Sequence, residues 1–395
     1  MTGPRLFLEL DHYQERKHNQ AACGDVFLSQ KIPDDHRVIS VLADGLGSGI
    51  KASVLATLTS TMALRYMAAD VDVRKAAGII MATLPVCRER QIAYSTFTIV
   101  EMDPWGATRV LEYDNPPFVL MRGPEPVPLT AEVLPLPDSA GREAAIRHTR
   151  FHARPGDRIV FFTDGVSQAG VGRPGTPLGW GREPVARFLG KVIRERPRLS
   201  ARQLARALVL RAQALDGGQA RDDISCGVMY YREPREVLVL TGAPVARARD
   251  AEMAEAARAF PGRKVICGGT TAAILSRGLG RPLAMDLSRL DPDVPPVSSM
   301  EGFDLVTEGA ITLARTVRLL EAEQSPDLLR PNAATELAGI LLDSDIIHIL
   351  AGTKINEALQ DPSLPEDLDI RRNILRGLKQ VLTGKFLKEV RITFI

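Results

Sequence analysis

The chain has 395 residues, 45% of them hydrophobic and 25% charged, a balance that is typical of a globular protein and excludes a disordered or fibrous one. Fifty basic and forty-eight acidic residues leave a formal net charge of +2, which gives no general argument for nucleic acid or an anionic membrane as a partner. At this length two domains are expected.

Neither a secretion signal nor a membrane span is apparent in the sequence. The N-terminal "MTGPRLFLEL" lacks a basic segment followed by an apolar core, and the apolar stretch 337–352 is interrupted by Asp343 and Asp345. The four cysteines are far apart and form neither a zinc motif nor a disulfide framework. A cytoplasmic location is therefore expected, with no membrane and no nucleic acid as partner.

The first 232 residues contain short strand-like runs and two helical regions. Apolar or β-rich runs bounded by Gly, Pro, Asp or Asn predict strands over 5–10, 37–43, 92–102, 107–113, 118–121, 158–163 and 224–231. Because the strands come in adjacent pairs and the helices are bunched in two places, we expect antiparallel sheets with helices packed outside, an α+β fold.

The two helical regions are predicted from their apolar periodicity. In the first, Ile50, Val54, Leu58 and Met62 recur at four-residue spacing, which predicts a helix that packs this stripe on a sheet. The second covers roughly 183–215 and is expected to break at Pro197 and restart with Ser200 as its N-cap.

From Val237 onward the chain alternates strand-like and helix-like segments, which predicts a domain of 233–395 with an α/β fold. Its strands end in the Gly/Thr loops "CGGTTA" (267–272), "TEGAIT" (307–312) and "AGTKIN" (351–356). Such loops either form anion sites around one small-molecule ligand or simply make tight strand-to-helix turns. A regulatory or ligand-sensing role is the expectation for this domain.

Aspartates stand at strand ends in four places of the first 232 residues: Asp25, Asp44, Asp164 and the pair Asp222-Asp223. One such residue is usually a turn former or a helix cap. Four that converge would repel one another unless a cation lay among them. Oxygen ligands without His or Cys suit Mg²⁺ or Mn²⁺, and two such ions catalyse phosphoester hydrolysis in many enzymes.

The order of these motifs resembles a known family. "GD", "DGLGSG" before a helix, "FFTDGV", and "RDDIS" before a final strand are similar to the PPM/PP2C protein phosphatases, specifically the bacterial SpoIIE-type branch, over about residues 8–231. The resemblance implies a β-sandwich flanked by helices, here followed by the smaller α/β domain. It also implies a phosphoserine or phosphothreonine protein substrate, often an anti-sigma antagonist-like protein, hydrolysed by a metal-bound hydroxide.

The resemblance also implies roles for single residues. Asp44 matches the aspartate that bridges two Mn²⁺ or Mg²⁺ ions, the Gly45 carbonyl matches a backbone ligand, and Asp164 and Asp222 match further metal-binding aspartates. Asp25 matches an acidic residue that supports the first metal, directly or through water. Asp223 stands where the family usually has Asn and is expected to support Asp222 rather than bind metal itself.

The chain departs from the family pattern in two places. "EYDNPPF" (112–118) replaces a Gly-His pair that often precedes the proline, so no role of that His transfers. The phosphate-binding Arg of eukaryotic members has no clear counterpart, with Arg16 as the candidate stand-in.

Residues 165–181 are rich in Gly and Pro and predict either a mobile flap over the metal site or an ordinary surface loop. The helix after Asp44 is a candidate switch, because a shift of this helix would move Gly45.

The alternative to an enzyme is a catalytically weak sensor or scaffold that binds a partner protein and a small molecule.

Overall fold

The computed structural model describes residues 6–83, 95–137, 143–285, 297–322, 329–354 and 367–395. The chain divides into two compact units, Met1–Glu233 and Pro234–Ile395. Within the described ranges, no helix is both long enough and apolar enough to cross a membrane.

The first unit is built from antiparallel strands and helices. Its strands are β1 (Phe7–Glu15), β2 (Asp25–Lys31), β3 (Val38–Gly45), β4 (Ser95–Met102), β5 (Ala107–Tyr113), β6 (Val119–Arg122), β7 (Glu125–Val127), β8 (Glu132–Pro137), β9 (Glu143–His152), β10 (Asp157–Phe162) and β11 (Ile224–Arg232). Its helices are α1 (Ile50–Ala68), α2 (Val73–Thr83), α3 (Asp164–Ser167), α4 (Arg182–Glu195) and α5 (Ala201–Leu215).

These strands form two sheets that face each other. One has the order β1-β11-β10-β6-β7 and the other β2-β3-β4-β5-β9-β8, with antiparallel pairing throughout the described strands. A stack of rings from β1, β2 and β10 joins the sheets, since Phe27 packs against both His12 (ring centroids 4.2 Å apart) and Phe161 (6.3 Å). α4 and α5 cover the outer face of the first sheet, and α1 and α2 that of the second.

This arrangement confirms the predicted α+β fold, a β-sandwich flanked by helices. The seven predicted strands are present, although residue 5 and residues 92–94 of two of them lie outside the described ranges. The second helical region ends at Glu195 before Pro197 and restarts after Ser200, whose hydroxyl accepts the N–H of Gln203 in a capping box.

The predicted packing of α1 is wrong. The helix exists, but Ile50, Val54 and Leu58 are 68%, 61% and 42% exposed. The buried face instead carries small residues along most of its length, and a methionine near its C-terminal end, namely Ala52, Ala56, Thr59, Ser60, Ala63 and Met67. The N-terminal part of α1 lies against the end of β3, where a Cβ on Gly45 would overlap the Ala52 carbonyl, so small residues face the sheet there and the apolar stripe faces outward.

The second unit is an α/β domain, as predicted. Its strands are β12 (Glu236–Thr241), β13 (Arg263–Cys267), β14 (Ala284–Met285), β15 (Ser298–Ser299), β16 (Leu305–Thr307), β17 (Ile346–Ala351) and β18 (Glu389–Phe394). Its helices are α6 (Ala248–Ala259), α7 (Gly269–Leu279), α8 (Ala310–Glu321), α9 (Ala333–Asp343) and α10 (Asp367–Gly384).

The strands of the second unit form a sheet of order β14-β15-β16-β13-β12-β17-β18. The neighbours from β16 to β18 are parallel, while β14 and β15 are antiparallel at one edge. Apolar clusters on the two faces join the sheet to α6 and α7 on one side and to α8, α9 and α10 on the other. The last part of the predicted "AGTKIN" loop, residues 355–356, lies outside the described ranges.

A buried ion pair holds β1, β11 and α5 together in the first unit. Glu9 is 4% exposed and accepts a hydrogen bond from Nε of Arg232 (2.9 Å) on β11. The other oxygen of Glu9 accepts the N–H of Ala201 (2.8 Å), at the start of α5. The Glu9 carboxylate thus neutralises the buried Arg232 guanidinium and accepts a hydrogen bond from a backbone N–H at the N-terminus of α5.

Replacing Glu9 by Ala is expected to lower the free energy of unfolding by about 3–5 kcal/mol, because it leaves the Arg232 guanidinium buried without its carboxylate. Both tryptophans of the chain, Trp105 and Trp180, lie in the first unit, and Trp180 is buried. Tryptophan fluorescence during urea unfolding therefore measures this unit selectively.

The matched control is Glu125→Ala, which removes an exposed partner of Arg194 and is expected to change stability by less than about 1 kcal/mol. Equal effects of the two variants would show that the buried pair contributes no more than the exposed one.

Candidate metal centre

Two of the predicted site residues stand opposite each other on neighbouring strands. Asp25 is the first residue of β2, and Asp44 is the last but one of β3. The antiparallel register pairs these two residues directly, so their carboxylates leave the same end of the sheet.

The other predicted aspartates come from the ends of strands in the facing sheet. β10 ends at Phe162, and Thr163 separates it from Asp164, which is the first residue of α3. Asp222 and Asp223 come directly before β11, which pairs with β10. The two sheets therefore bring their acidic strand ends to the same end of the sandwich.

A cavity of about 1160 Å³ opens at this end. Asp44, Asp164 and Asp222 line it, whereas Asp25 and Asp223 do not. Asp25 and Asp223 are 3% and 5% exposed and lie behind the cavity wall. The structure thus brings three of the predicted carboxylates into one cavity and places two others beneath them.

Hydrogen bonds between the sheets fix the buried pair. The hydroxyl of Thr163 donates to Oδ2 of Asp25 (2.9 Å), which ties the end of β10 to the start of β2. Asp223 accepts the backbone N–H of Lys17 on Oδ1 (2.9 Å) and that of Gly24 on Oδ2 (3.0 Å). Because both bonds require an acceptor, Asp223 suits this place as a carboxylate that positions the chain before β2.

The electrostatics of the cluster disfavour ionised carboxyls. Burial raises the pKa of Asp44 well above its usual value, and the nearby charges of Asp25, Asp164 and Asp222 raise it further. Burial also raises the pKa of Asp25, against the opposing effect of hydrogen bonds from Ser225 and Thr163. A cation among these groups would favour their ionised forms and so lower the pKa values of both Asp44 and Asp25.

The glycines that follow Asp44 and Asp164 allow close backbone packing. A Cβ on Gly45 would overlap the carbonyl of Ala52 in α1, and a Cβ on Gly165 would overlap the carbonyl of Asp223. The first contact brings α1 against the end of β3, and the second brings the start of α3 against the chain before β11. Any side chain at either glycine would push the acidic strand ends apart.

The cations of the cavity differ from the one expected from the sequence. Arg16 is exposed and donates to the carbonyl of Ala21 (3.3 Å), and it does not line the cavity. Its neighbour Lys17 does, with Nζ 3.5 Å from Oδ1 of Asp222. Arg16 and Lys17 follow the end of β1, and which of them faces the cavity depends on the contact of this segment with the chain before β11, where the Lys17 N–H donates to Asp223.

Two arginines on the cavity wall were also missed. Arg147 lies 3.6 Å from Oε2 of Glu112, and Arg182 donates to the carbonyl of Phe118 (3.0 Å). Burial raises the pKa of Glu112, which accepts the N–H of Phe118 (2.6 Å). These arginines come from β9 and α4, and no local motif marked them in the sequence.

The "EYDNPPF" stretch forms part of the wall. Asp114 has a left-handed backbone with φ of 52°, and burial raises the pKa of its carboxyl. Asn115 is buried and accepts the hydroxyl of Thr96 (2.6 Å) while donating to that of Thr98 (3.1 Å). These bonds join the turn to β4, so the local turn is held without the histidine of the family pattern.

Residues 165–181 form α3 and a series of hydrogen-bonded turns. Gly170 donates its N–H to Oδ1 of Asp216 (2.7 Å), and the buried Trp180 packs edge-on against Phe188 of α4. Ser167 and Gln168 line the cavity, and Gln168 donates to Oδ2 of Asp164 (2.8 Å). The segment is therefore anchored at both ends and contributes polar groups to the wall.

The donor set fits hard divalent cations. Oδ1 of Asp25 is buried and has no hydrogen-bond partner among the described residues, and the Asp44 carboxyl lies among the charges of Asp25, Asp164 and Asp222. However, in the part of the chain that the structure describes, no three His, Cys, Asp or Glu side chains are grouped to hold one ion. Mg²⁺ takes one or two carboxylates from a protein and completes its shell with water, so the carboxylates that line the cavity suffice for such an ion.

A family model matches the first unit. The model for Stage II sporulation protein E (SpoIIE) matches residues 34–232 of the 395-residue chain. No curated protein matches the chain at a significant level.

Similar solved structures cover the first unit. The phosphatase domain of SpoIIE from Bacillus subtilis, in a crystal form without domain swapping, is 16% identical, and the alignment covers 59% of this chain and 95% of that one, with a TM-score of 0.43. A second B. subtilis SpoIIE structure, of the PP2C phosphatase domain with a regulatory-domain fragment, is 17% identical over 58% and 65%, with a TM-score of 0.47. The RsbU and RsbW domains of Rv1364c from Mycobacterium tuberculosis are 19% identical over 64% and 69%, with a TM-score of 0.46. The family assignment rests on the sequence match, not on these scores.

Replacing Asp44 by Asn is expected to have opposite effects without and with metal. In EDTA at pH 7, the variant should be more stable than the wild type by about 1 kcal/mol or more, because it removes a carboxyl whose ionised form is disfavoured. In saturating Mn²⁺ the wild type should gain about 2–3 kcal/mol and the variant much less. Urea unfolding followed by tryptophan fluorescence measures both.

Asp34→Asn is the control, since Asp34 is an exposed turn residue outside the cavity. It should behave as the wild type in both conditions. A destabilised Asp44→Asn protein in EDTA, or equal gains from Mn²⁺ in all three proteins, would contradict the account of the cluster.

Proposed function

The chain belongs to the SpoIIE family of PP2C-type phosphatases, and from that premise we propose that its first unit is a metal-dependent protein serine/threonine phosphatase. The observation that carries the proposal is the convergence of Asp44, Asp164 and Asp222 on one cavity, from the strand ends of two facing sheets. The raised pKa of Asp44, which lies among the charges of Asp25, Asp164 and Asp222, favours a cation site over a purely structural role.

Two Mn²⁺ or Mg²⁺ ions are the cofactors in this proposal. Asp44, Asp164, Asp222 and the carbonyl of Gly45 would hold them, with Asp25 as support from beneath. When bound, such ions polarise the phosphate and lower the pKa of bound water.

The protein's own groups bind and orient the substrate. Lys17, Arg147 and Arg182 line the cavity and provide positive charge for a phosphoserine or phosphothreonine and its neighbours. Lys17 is held by two contacts at the site, through its N–H to Asp223 and its Nζ near Asp222. A cavity of about 1160 Å³ is large enough for a protein segment, and an anti-sigma antagonist-like phosphoprotein is the proposed substrate class.

α1 is the proposed switch of this unit. Gly45 packs directly against the Ala52 carbonyl of α1, and its N–H donates to the carbonyl of Gly24 (3.3 Å). A shift of α1 would therefore displace the Gly45 carbonyl and weaken one metal site. The second unit, in this proposal, supplies regulation.

One observation favours the alternative of a catalytically weak scaffold that binds a partner protein. The described residues contain no compact group of three metal-ligating side chains, which is what a degenerate site would show. A scaffold would bind its partner without turnover and would not depend on the charge of Asp164.

The proposal predicts metal-dependent hydrolysis of a phosphoserine peptide and of p-nitrophenyl phosphate by the full chain. EDTA should abolish turnover, and Asp44→Asn and Asp164→Asn should each lower kcat/KM by at least about 10²-fold, because each removes a charged ligand. Phosphate release in Mn²⁺ measures the rate.

Lys17→Gln should raise KM more than it lowers kcat, and the surface control Asp34→Asn should leave both unchanged. Turnover that survives EDTA or both Asp variants would refute the assignment. Absence of turnover in every metal, with partner binding retained in Asp164→Asn, would establish the scaffold instead.

A further inference from the structure

The second unit contains a cavity of about 630 Å³ at the carboxyl ends of its parallel strands. Its lining includes Gly242 after β12, Gly268 after β13, Gly309 after β16 and Lys354 after β17. After β12, the strands from β13 to β16 are added on one side of it, and β17 and β18 are then added on the other side. The direction of the strand order therefore reverses at β12, and ligands of open α/β sheets bind at the carboxyl ends of strands where it reverses. We call this space the C-terminal cavity.

Two helices begin at the C-terminal cavity without a side-chain cap. α7 follows Gly268, which has φ of 139°, and α8 follows Gly309, which has φ of 109°. The two turns are in contact, since a Cβ on Gly309 would lie 3.1 Å from Cα of Gly268. The first-turn N–H groups of both helices therefore concentrate partial positive charge on one side of the cavity.

Thr271, in the first turn of α7, is an independent sign of a ligand. It lines the cavity and is fully buried, and its hydroxyl has no hydrogen-bond partner within the described residues. At the same position of α9, the hydroxyl of Thr335 accepts the N–H of Asn332 (2.9 Å). In α7 the corresponding N–H, of Gly268, donates instead to the carbonyl of Thr307 (2.7 Å). A ligand oxygen would satisfy the Thr271 hydroxyl.

The charges around the cavity favour an anion. Its lining contains more cationic than acidic side chains, namely Arg247, Arg277, Lys354 and Arg371 against Asp250 and Glu308. Arg371 reaches the end of β12, where a Cβ on Gly242 would lie 2.7 Å from its Nη1. Gly242 thus leaves the room that brings a guanidinium to the strand ends, and a guanidinium binds phosphate through paired hydrogen bonds.

Glu308 indicates a second feature of the ligand. Its carboxylate lies beside the first residue of α7, where a Cβ on Gly269 would be 3.3 Å from Oε2. An acidic acceptor beside a phosphate site hydrogen-bonds hydroxyl groups of the ligand, as in dinucleotide-binding folds. The volume of about 630 Å³ is that of a small-molecule site.

We propose that the C-terminal cavity binds a small phosphate-bearing molecule that also carries hydroxyl groups, of the nucleotide or sugar-phosphate class. The N–H groups that begin α7 and α8, the Thr271 hydroxyl and the Arg371 guanidinium hold the phosphate, and Glu308 accepts from a hydroxyl. This assignment concerns the second unit alone and does not depend on phosphatase activity in the first.

The test is isothermal titration calorimetry of the full chain in EDTA with inorganic pyrophosphate as the probe. Thr271→Val should weaken binding about fivefold to tenfold and Arg371→Gln at least about tenfold. Without the probe, Thr271→Val should melt at the same or a higher temperature than the wild type, since it removes an unpaired buried hydroxyl. A purely structural role of Thr271 would lower that temperature.

The controls are Thr312→Val and Arg318→Gln in α8. Thr312 has the same place in its helix as Thr271, and its buried hydroxyl also has no partner among the described residues, but it does not line the cavity. Arg318 is an exposed arginine outside the cavity. Both variants should bind pyrophosphate as the wild type does.

Titrations with ADP and with ribose 5-phosphate then distinguish the two ligand classes, because the correct class should bind more tightly than pyrophosphate. The proposal is overturned if millimolar pyrophosphate gives no saturable binding. It is equally overturned if Thr271→Val and Arg371→Gln bind it as tightly as their controls do.

Discussion

The close approach of backbone at Gly45 and Gly165 is the constraint on which the acidic end of the sandwich depends. One glycine lies against a carbonyl of α1 and the other against the carbonyl of Asp223, so each acidic strand end is pressed onto its neighbour. Hydrogen bonds between the sheets, from Thr163 to Asp25 and from Gly24 to Asp223, complete the frame. Packing thereby forces together carboxylates that would otherwise separate.

This arrangement opposes the stability of the protein without a cation. Ionised carboxyls that are buried beside one another destabilise the folded state, and the raised pKa values of Asp25 and Asp44 express that cost. Contacts elsewhere in the unit act in the opposite direction, such as the hydrogen bonds of Glu9 to Arg232 of β11 and to the start of α5. A site that is unfavourable on its own and favourable with bound cations is the expected form of a metal centre.

Much of the fold and of the candidate site could be predicted from the sequence, because apolar runs that end in aspartate reveal both a strand and its terminus. The stripe of α1 could not: Val54 is exposed because the helix lies too near β3 for large residues, and Ala56 replaces it at the sheet. Contacts between distant segments were equally hidden, since Lys17 reaches Asp222 only through the pairing of β1 with β11. In the second unit, the first two Gly/Thr loops predicted the turns into α7 and α8, while the unpartnered hydroxyl that suggests a ligand required the tertiary structure.

The most direct test of the metal centre is anomalous diffraction at the manganese edge from crystals of the full chain grown with Mn²⁺. The account predicts two peaks that share Asp44, with the Gly45 carbonyl, Asp164 and Asp222 among the remaining protein ligands. Absence of any peak at the acidic end of the sandwich, or peaks that contact neither Asp44 nor Asp164, would contradict it.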